Sequence, residues 1–411
     1  MVSPFLDDAA KLAAVRSALP SLAAGIQLNT GSVGPLPAET AKAMADLAAY
    51  ELAIGRADSA YWLESLERMA EARAAVAAVI GGQLDEVALT HSATDGMNIA
   101  AWSLDWRPGD RAVTTRHEHA GGLGPLYALR DRMGVELDFV DVGDGGDDER
   151  TLEALDRAIS PRTRLVSLSH VLWTTGAVLP IAEIAKLAHA RGAVLAVDGA
   201  QGAGSIPVDV GALGVDWYAV AGQKWLLGPE GSGAAWVSPA LLERARRTYA
   251  GDTAQERHDS AGVWVPQPDA RRFQVAGYHR PSVVGLARSV GWLAMFVGLE
   301  FVHRRGAALA RRTAEALAAL PGVELVTPRE AMATLVSFRI RGWTADAAVA
   351  ELGARVFAIV RSIPQLDAIR ASVGFFNSEE ELDRFVAAVG LLAVNTPESM
   401  PPRRTLEILR G

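Results

Sequence analysis

Between about residues 85 and 240 the chain alternates two textures: short runs rich in Val, Leu and Ala, and the helix-length segments that separate them. The runs are VALTH (Val87–His91), AVTT (Ala112–Thr115), ELDFVDV (Glu136–Val142), RLVSLSH (Arg164–His170), AVLAVD (Ala193–Asp198), DWYAV (Asp216–Val220) and GAAWVS (Gly233–Ser238). Their apolar positions are nearly continuous instead of alternating, so both faces of each strand must be covered. Such runs separated by helices predict an α/β fold class, with a mostly parallel seven-stranded sheet. After about residue 290 the pattern turns to long helical periods with two strand candidates, TLVSFRI (Thr334–Ile340) and IRASVG (Ile369–Gly374), and NSEEELDRFV carries a helix-capping signal. This predicts a large domain over residues 20–285 and a small α+β domain built from residues 1–19 and 286–411.

Polar residues interrupt the apolar pattern where the strands end. Thr94, His119, Ser169 with His170, Asp198 and Lys224 all fall at or just after the C-terminal end of a run. Open α/β sheets place ligands there, so one crevice is predicted to gather them. Lys224 is the unusual member. The chain has only four lysines, Lys11, Lys42, Lys186 and Lys224, among its 40 basic residues. The first three sit in Ala-rich helical segments, where a solvated helix face accounts for them. Lys224 instead follows the run Trp217–Val220 and precedes Trp225, Leu226, Leu227 and a Gly-Pro turn, a poor setting for a surface charge.

Composition narrows the function. A chain of 411 residues, 50% hydrophobic, can bury a large core in two lobes. A formal net charge of −8 offers no basic footprint for nucleic acid. MVSPFLDDAAKLAAVR lacks the marks of a secretory leader. In SVVGLARSVGWLAMFVGLEFV, Arg288 and Glu300 leave eleven uncharged residues between them, whereas a membrane span needs roughly 20. A buried helix is predicted there, one that could lie at a subunit interface. The chain has no cysteine. Disulfides, thiolate metal sites and cysteine nucleophiles are thereby excluded, and a cytoplasmic location fits without being established.

A lysine kept out of water beside an acid forms a Schiff base readily, because desolvation lowers its pKa. That chemistry suits pyridoxal 5′-phosphate, whose ring nitrogen needs an anionic partner, whose ring needs a flat cover and whose phosphate suits a helix N-terminus. Asp198, His119 and SATDGMN supply candidates for each. Bland readings stand beside them. Asp198 could be a turn former, Thr94 a plain helix cap, and Arg370 a surface ion pair. His117 and His119 alternate as a metal-binding pair would, yet no third ligand is fixed by spacing. VGDGGDDER misses the calcium-loop spacing and reads as a solvated turn before a helix beginning near Thr151.

In chain order, SATDGMN, HEHAGG, SHVLWTTGAVLPI, VDGAQGAGSIPVDV, GQKWLLGPEGSG and RASVGFFNSEEELD form a combination that resembles the class V aminotransferase family of fold type I pyridoxal-phosphate enzymes. That family includes cysteine desulfurases, isopenicillin N epimerase-like proteins and cysteine or cystine C–S lyases. The likeness runs from LNTGSVGPLP to Phe385, and Asp-x-x-Gln with Lys-Trp-x-x-Gly-Pro is its most specific part. The resemblance implies Lys224 as Schiff-base lysine and proton shuttle, Asp198 as partner of the pyridine nitrogen, Gln201 on the phenolic oxygen and His119 stacked on the ring. It further implies Ala93, Thr94 and Gln223 at the phosphate, Arg370 on the substrate carboxylate, and Asn29 and Trp173 along the substrate wall. A homodimer is implied as well, with the active site near the subunit interface.

Three positions depart from the family pattern. Ala221-Gly222-Gln223-Lys224 stands where many relatives have Ser-Gly-His-Lys, Trp173 stands at a common asparagine, and Gly277 replaces a threonine that reaches the neighbouring subunit's phosphate. A persulfide-forming desulfurase needs a cysteine of its own, so that route is excluded here. Proton loss from an amino-acid substrate leaves a carbanion that can eliminate a β-substituent, transaminate or epimerise. The lean is toward β-elimination from a cysteine-derived thioether or cystine-like substrate, with an aminotransferase or epimerase as the alternative and a non-catalytic binder as the third reading.

Overall fold

The computed structural model describes residues 3–275 and 277–403. All seven predicted runs form strands of one sheet: β1 (Val87–Thr90), β2 (Arg111–Thr115), β3 (Glu136–Val140), β4 (Thr163–Ser169), β5 (Val194–Asp198), β6 (Trp217–Ala221) and β7 (Gly233–Val237). Their order is β1-β7-β6-β5-β4-β2-β3. Only β7 runs antiparallel to its neighbours. Successive residues of a strand feed different cores: Leu195 and Val197 of β5 join one, while Val194 and Ala196 join the other. Burial on both faces is why these strands read as unbroken apolar runs.

The small lobe holds a four-stranded antiparallel sheet of β8 (Val323–Leu325), β9 (Leu335–Ile340), β10 (Arg361–Ile363) and β11 (Ala368–Ser372), in the order β8-β9-β11-β10. Both strand candidates seen in the sequence are present, and β8 and β10 are additions too short to show a period. The capping signal is real: the Ser378 hydroxyl accepts from the Glu381 amide, and the Glu381 carboxylate accepts from the Ser378 amide. Ile26 and Gln27 pair with Ala358 and Ile359, and Ile26 and Leu28 pack in the small lobe's core. The chain therefore enters the large domain after about residue 29 instead of at residue 20. Residues 1–2 and 404–411 of the expected small domain lie outside the described residues.

The membrane-like run forms a helix, Arg280–Gly291, that packs Val283, Leu286 and Val290 against the large-domain core. It continues as a wider turn to Val297, and the chain bends by 85° before the next helix at Leu299. No single helix among the described residues is long and apolar enough to cross a membrane.

Candidate active site

The C-terminal ends of β2, β5 and β6 and the first turn of the helix Ala93–Trp102 open onto a cavity of about 210 Å³, closed on the far side by the small lobe. Nine of the ten residues nominated from sequence line it; Asn29 does not. A second cavity, about 260 Å³, lies beside Tyr61, Met69, Gly277 and Arg280, but it gathers no comparable set of chemical groups.

Lys224 is carried by a loop held at several points. Gly222 donates to Ser232 (2.9 Å), Gly34 donates to the Gln223 carbonyl (2.8 Å) and Leu227 donates back to the Lys224 carbonyl (3.1 Å). Leu227 adopts φ 53°, a left-handed conformation that a branched side chain occupies only when its surroundings enforce it. Trp225 Nε1 donates to Gln201 Oε1 (2.8 Å), tying the lysine loop to the segment after β5. Burial lowers the Lys224 pKa to about 8; Asp198 pulls it upward, and Arg370 and Arg361 push it down further. The amine is therefore poised as a nucleophile near neutral pH.

Asp198 ends β5 and is 8% exposed. Its Oδ1 accepts from the Ala200 amide at 2.9 Å, while no chain group donates to Oδ2 among the described residues. Gln201 donates through Nε2 to the Gly31 carbonyl (2.8 Å), leaving its second amide proton for a ligand. At the helix N-terminus the cap is Ser92, whose hydroxyl accepts from Asp95 (3.1 Å), so Thr94 is not the cap that the bland reading supposed. The amides of Ala93 and Thr94 have no acceptor among the described residues, and they point from the positive end of a helix.

His119 begins the helix Ala120–Met133, and its Nδ1 accepts from the Gly121 amide (3.1 Å), which fixes Nδ1 as unprotonated. Burial holds its pKa below the usual histidine range, and nearby Lys224 adds to that. Its ring meets the edge of Trp173 at 5.4 Å. His117 faces elsewhere, with its ring nitrogens on the Thr174 hydroxyl (2.7 Å) and the Gly143 carbonyl (2.6 Å). The metal-pair reading fails on that geometry. The acidic stretch after Val142 is a turn in which Asp147 caps a helix starting at Asp148, three residues before the predicted start.

From the small lobe, Arg370 reaches in fully buried, with Nη1 donating to the Trp173 carbonyl (2.8 Å) and with Nε and Nη2 unpartnered among the described residues. Burial pushes its pKa down to about 9, and Arg361 contributes to the shift. Arg361 was not singled out from sequence, because nothing in β10 sets it apart among 36 arginines. It lies over the Trp173 ring at 5.4 Å and donates to Ser32 (3.2 Å). Asn29 stands one step back, accepting from the Ser32 hydroxyl at 2.8 Å. Gly31 is required by space: a Cβ there would lie 2.9 Å from Arg370 Nη2 and 2.8 Å from Ser372 Oγ. Two expected members are absent from the cavity. Ser169 donates to Glu118, and His170 is buried against the Tyr218 hydroxyl (2.9 Å). Gly277 has φ 87°, a conformation that strains threonine.

The groups present fit pyridoxal phosphate: a desolvated amine, an acid with one free oxygen, and amides at a helix N-terminus that have no acceptor among the described residues. The comparison with known families points the same way, since the Aminotransferase class-V family matches residues 32–385. The chain belongs to this family. A probable cysteine desulfurase of Methanothermobacter thermautotrophicus is 28% identical over 90% of the chain and 94% of its own length. Isopenicillin N epimerase of Streptomyces clavuligerus is 31% identical over 89% and 94%. Among solved structures, a complex between the cystine C–S lyase C-DES and its reaction product cysteine persulfide superposes with a TM-score of 0.85 at 29% identity, covering 92% of this chain and all of that one. A lysine mutant of C-DES carrying glycine covalently linked to its PLP cofactor gives 0.86. The class-V protein described here thus has the fold type I architecture of pyridoxal-phosphate enzymes.

Proposed function

We propose that this class-V enzyme is a pyridoxal-phosphate-dependent lyase that cleaves the C–S bond of a cystine-like or thioether amino acid by β-elimination. With water, R–S–CH₂–CH(NH₃⁺)–COO⁻ gives RSH, pyruvate and ammonium. When bound, pyridoxal phosphate supplies the electron sink that makes α-proton loss feasible. The chain supplies the rest. Lys224 would hold the cofactor, and its amine would carry the proton between the substrate α-carbon and the departing sulfur. Asp198 Oδ2 would keep the ring nitrogen protonated, the second Gln201 amide proton would serve the phenolic oxygen, and His119 would cover the ring. The amides of Ala93 and Thr94, the Thr94 hydroxyl and Gln223 bind the phosphate.

One observation carries the substrate class. Two guanidinium groups, Arg370 and Arg361, flank Trp173 on the wall facing Lys224. One suits the α-carboxylate as a bidentate fork. The second suits a further carboxylate such as cystine carries, with the indole against the sulfur substituent. The likeness to C-DES supports this reading, and a lyase releases its sulfur product free, so it needs no cysteine of its own. The relative named isopenicillin N epimerase supports the second reading, epimerisation or transamination at the same site. A homodimer accords with the exposed apolar side chains of Leu52, Ile54, Trp62 and Leu63. Purified protein incubated with cystine and S-substituted cysteines tests the proposal. Pyruvate with thiol supports the lyase; inverted α-carbon without pyruvate, or conversion of cofactor to pyridoxamine phosphate, overturns it in favour of the second reading.

A further inference from the structure

One buried acid beside the site has no role in the chemistry above. Glu118 lies between His117 and His119, with its side chain turned inward and only 7% exposed. One oxygen accepts from the Thr115 hydroxyl at the end of β2, and the other from the Ser169 hydroxyl at the end of β4, both at 2.6 Å. Ser169 is the ladder partner of Asp198 on the adjacent strand. No arginine, lysine or histidine donates to Glu118 among the described residues, and Asp198 is the charged group whose field reaches it. Neighbouring histidines face away: His117 toward Thr174 and Gly143, His170 toward Tyr218.

A simple tie between β2 and β4 does not call for an acid. A glutamine would accept from one hydroxyl and donate to the other, without the desolvation that an unpaired carboxylate suffers. What an acid adds is charge under Asp198. We infer that Glu118 is a positioning residue: its two hydroxyl contacts hold the turn that presents His119, and its carboxyl joins Asp198 in setting the negative field at the cofactor's ring. This rests on the pyridoxal-phosphate reading. Burial, reinforced by Asp198 and opposed by the two hydroxyls and the Ser169 backbone amide, raises the Glu118 pKa to about 7. The field therefore changes near neutral pH.

The test compares wild type, Glu118→Gln and Glu118→Ala, with and without pyridoxal phosphate. In the loaded proteins the readout is the pH at which the lysine-bound cofactor's absorbance changes. Loss of a nearby negative charge makes the protonated form less favourable, so the Gln variant should shift this midpoint downward by about half a unit or more. In the apo-proteins the readout is thermal stability. A carboxyl whose folded pKa lies above its unfolded value of 4.5 contributes stability that is lost as pH rises toward 7. The Gln variant should therefore gain on wild type between pH 5 and pH 8, while the Ala variant, having lost the tie as well, lies below Gln at both. An unmoved midpoint overturns the inference, and a pH-independent stability difference beside it leaves Glu118 a tie only. A wild type that shows no cofactor band sinks the pyridoxal-phosphate reading, and this inference with it; a wild-type band with an unmoved Gln midpoint sinks this inference alone.

Discussion

The two walls of the cavity differ in how their groups are held. On the large-domain wall the Lys224 loop is held by backbone bonds from Gly34, Gly222 and Leu227, and both ends of the Gln201 amide have partners within the chain. On the small-lobe wall the buried Arg370 guanidinium keeps Nε and Nη2 without partners among the described residues, whereas the open groups of the large-domain wall are the Ala93 and Thr94 amides and Asp198 Oδ2. Buried polar groups without partners are costly, and they cluster where a ligand completes them. On the proposed function, the contrast separates a wall pre-organised for the cofactor from one that a substrate carboxylate would complete.

That division can be broken by mutation. The largest effect belongs to Lys224→Ala, which should remove the covalent cofactor band and lower turnover by about 10³-fold or more; spectra and pyruvate release measure both. Arg370→Ala should lower kcat/KM by on the order of 10²-fold while the cofactor spectrum stays as in wild type, since it removes a buried charge that only the substrate pairs. Loss of cofactor in that variant would erase the distinction between the walls. Gly31→Ala should act in the same direction through a displaced guanidinium, by about tenfold, with no change in cofactor affinity. Smaller still is Arg361→Ala, expected to cost several-fold in kcat/KM for cystine-like substrates and little for a thioether with a neutral substituent, a difference that paired kinetics resolve.

The large-domain wall also predicts a pH dependence. With the Lys224 pKa lowered from 10.5 to about 8, the neutral amine fraction grows steeply up to that value. The rate at which apo-protein captures pyridoxal phosphate should rise about tenfold per pH unit below 8 and level off above it; a rise continuing toward pH 10 would mean the amine is not desolvated. The sign for stability follows from the same shift. The unfolded chain binds the proton more readily between about 8 and 10.5, so this group makes the apo-protein more stable as pH climbs through that window.

How legible each wall was differs for the same reason. Residues of the large-domain wall sit next to strand ends in sequence, so the apolar runs announced where Asp198, His119 and Lys224 would lie. Arg370 sits mid-strand in β11, indistinguishable by spacing from other arginines, and became visible only through resemblance. Arg361 was not visible at all, since β10 is three residues long. Ser169 and His170 misled because the strand-end rule says that a residue is near the crevice, while the direction its side chain takes depends on what packs beneath it.

By itself the sequence determined the seven-stranded α/β sheet, because burial on both faces forces continuous apolar runs, and it determined the family through short motifs whose backbones must bend in one way. Tertiary structure alone decided which lobe residues 26–29 join, that Gly31 makes room for a guanidinium, that a second arginine shares the cavity wall with Arg370 and that Glu118 bonds Ser169, the ladder partner of Asp198. Each of these depends on contacts between segments far apart in the chain, and no local pattern encodes a distance between them.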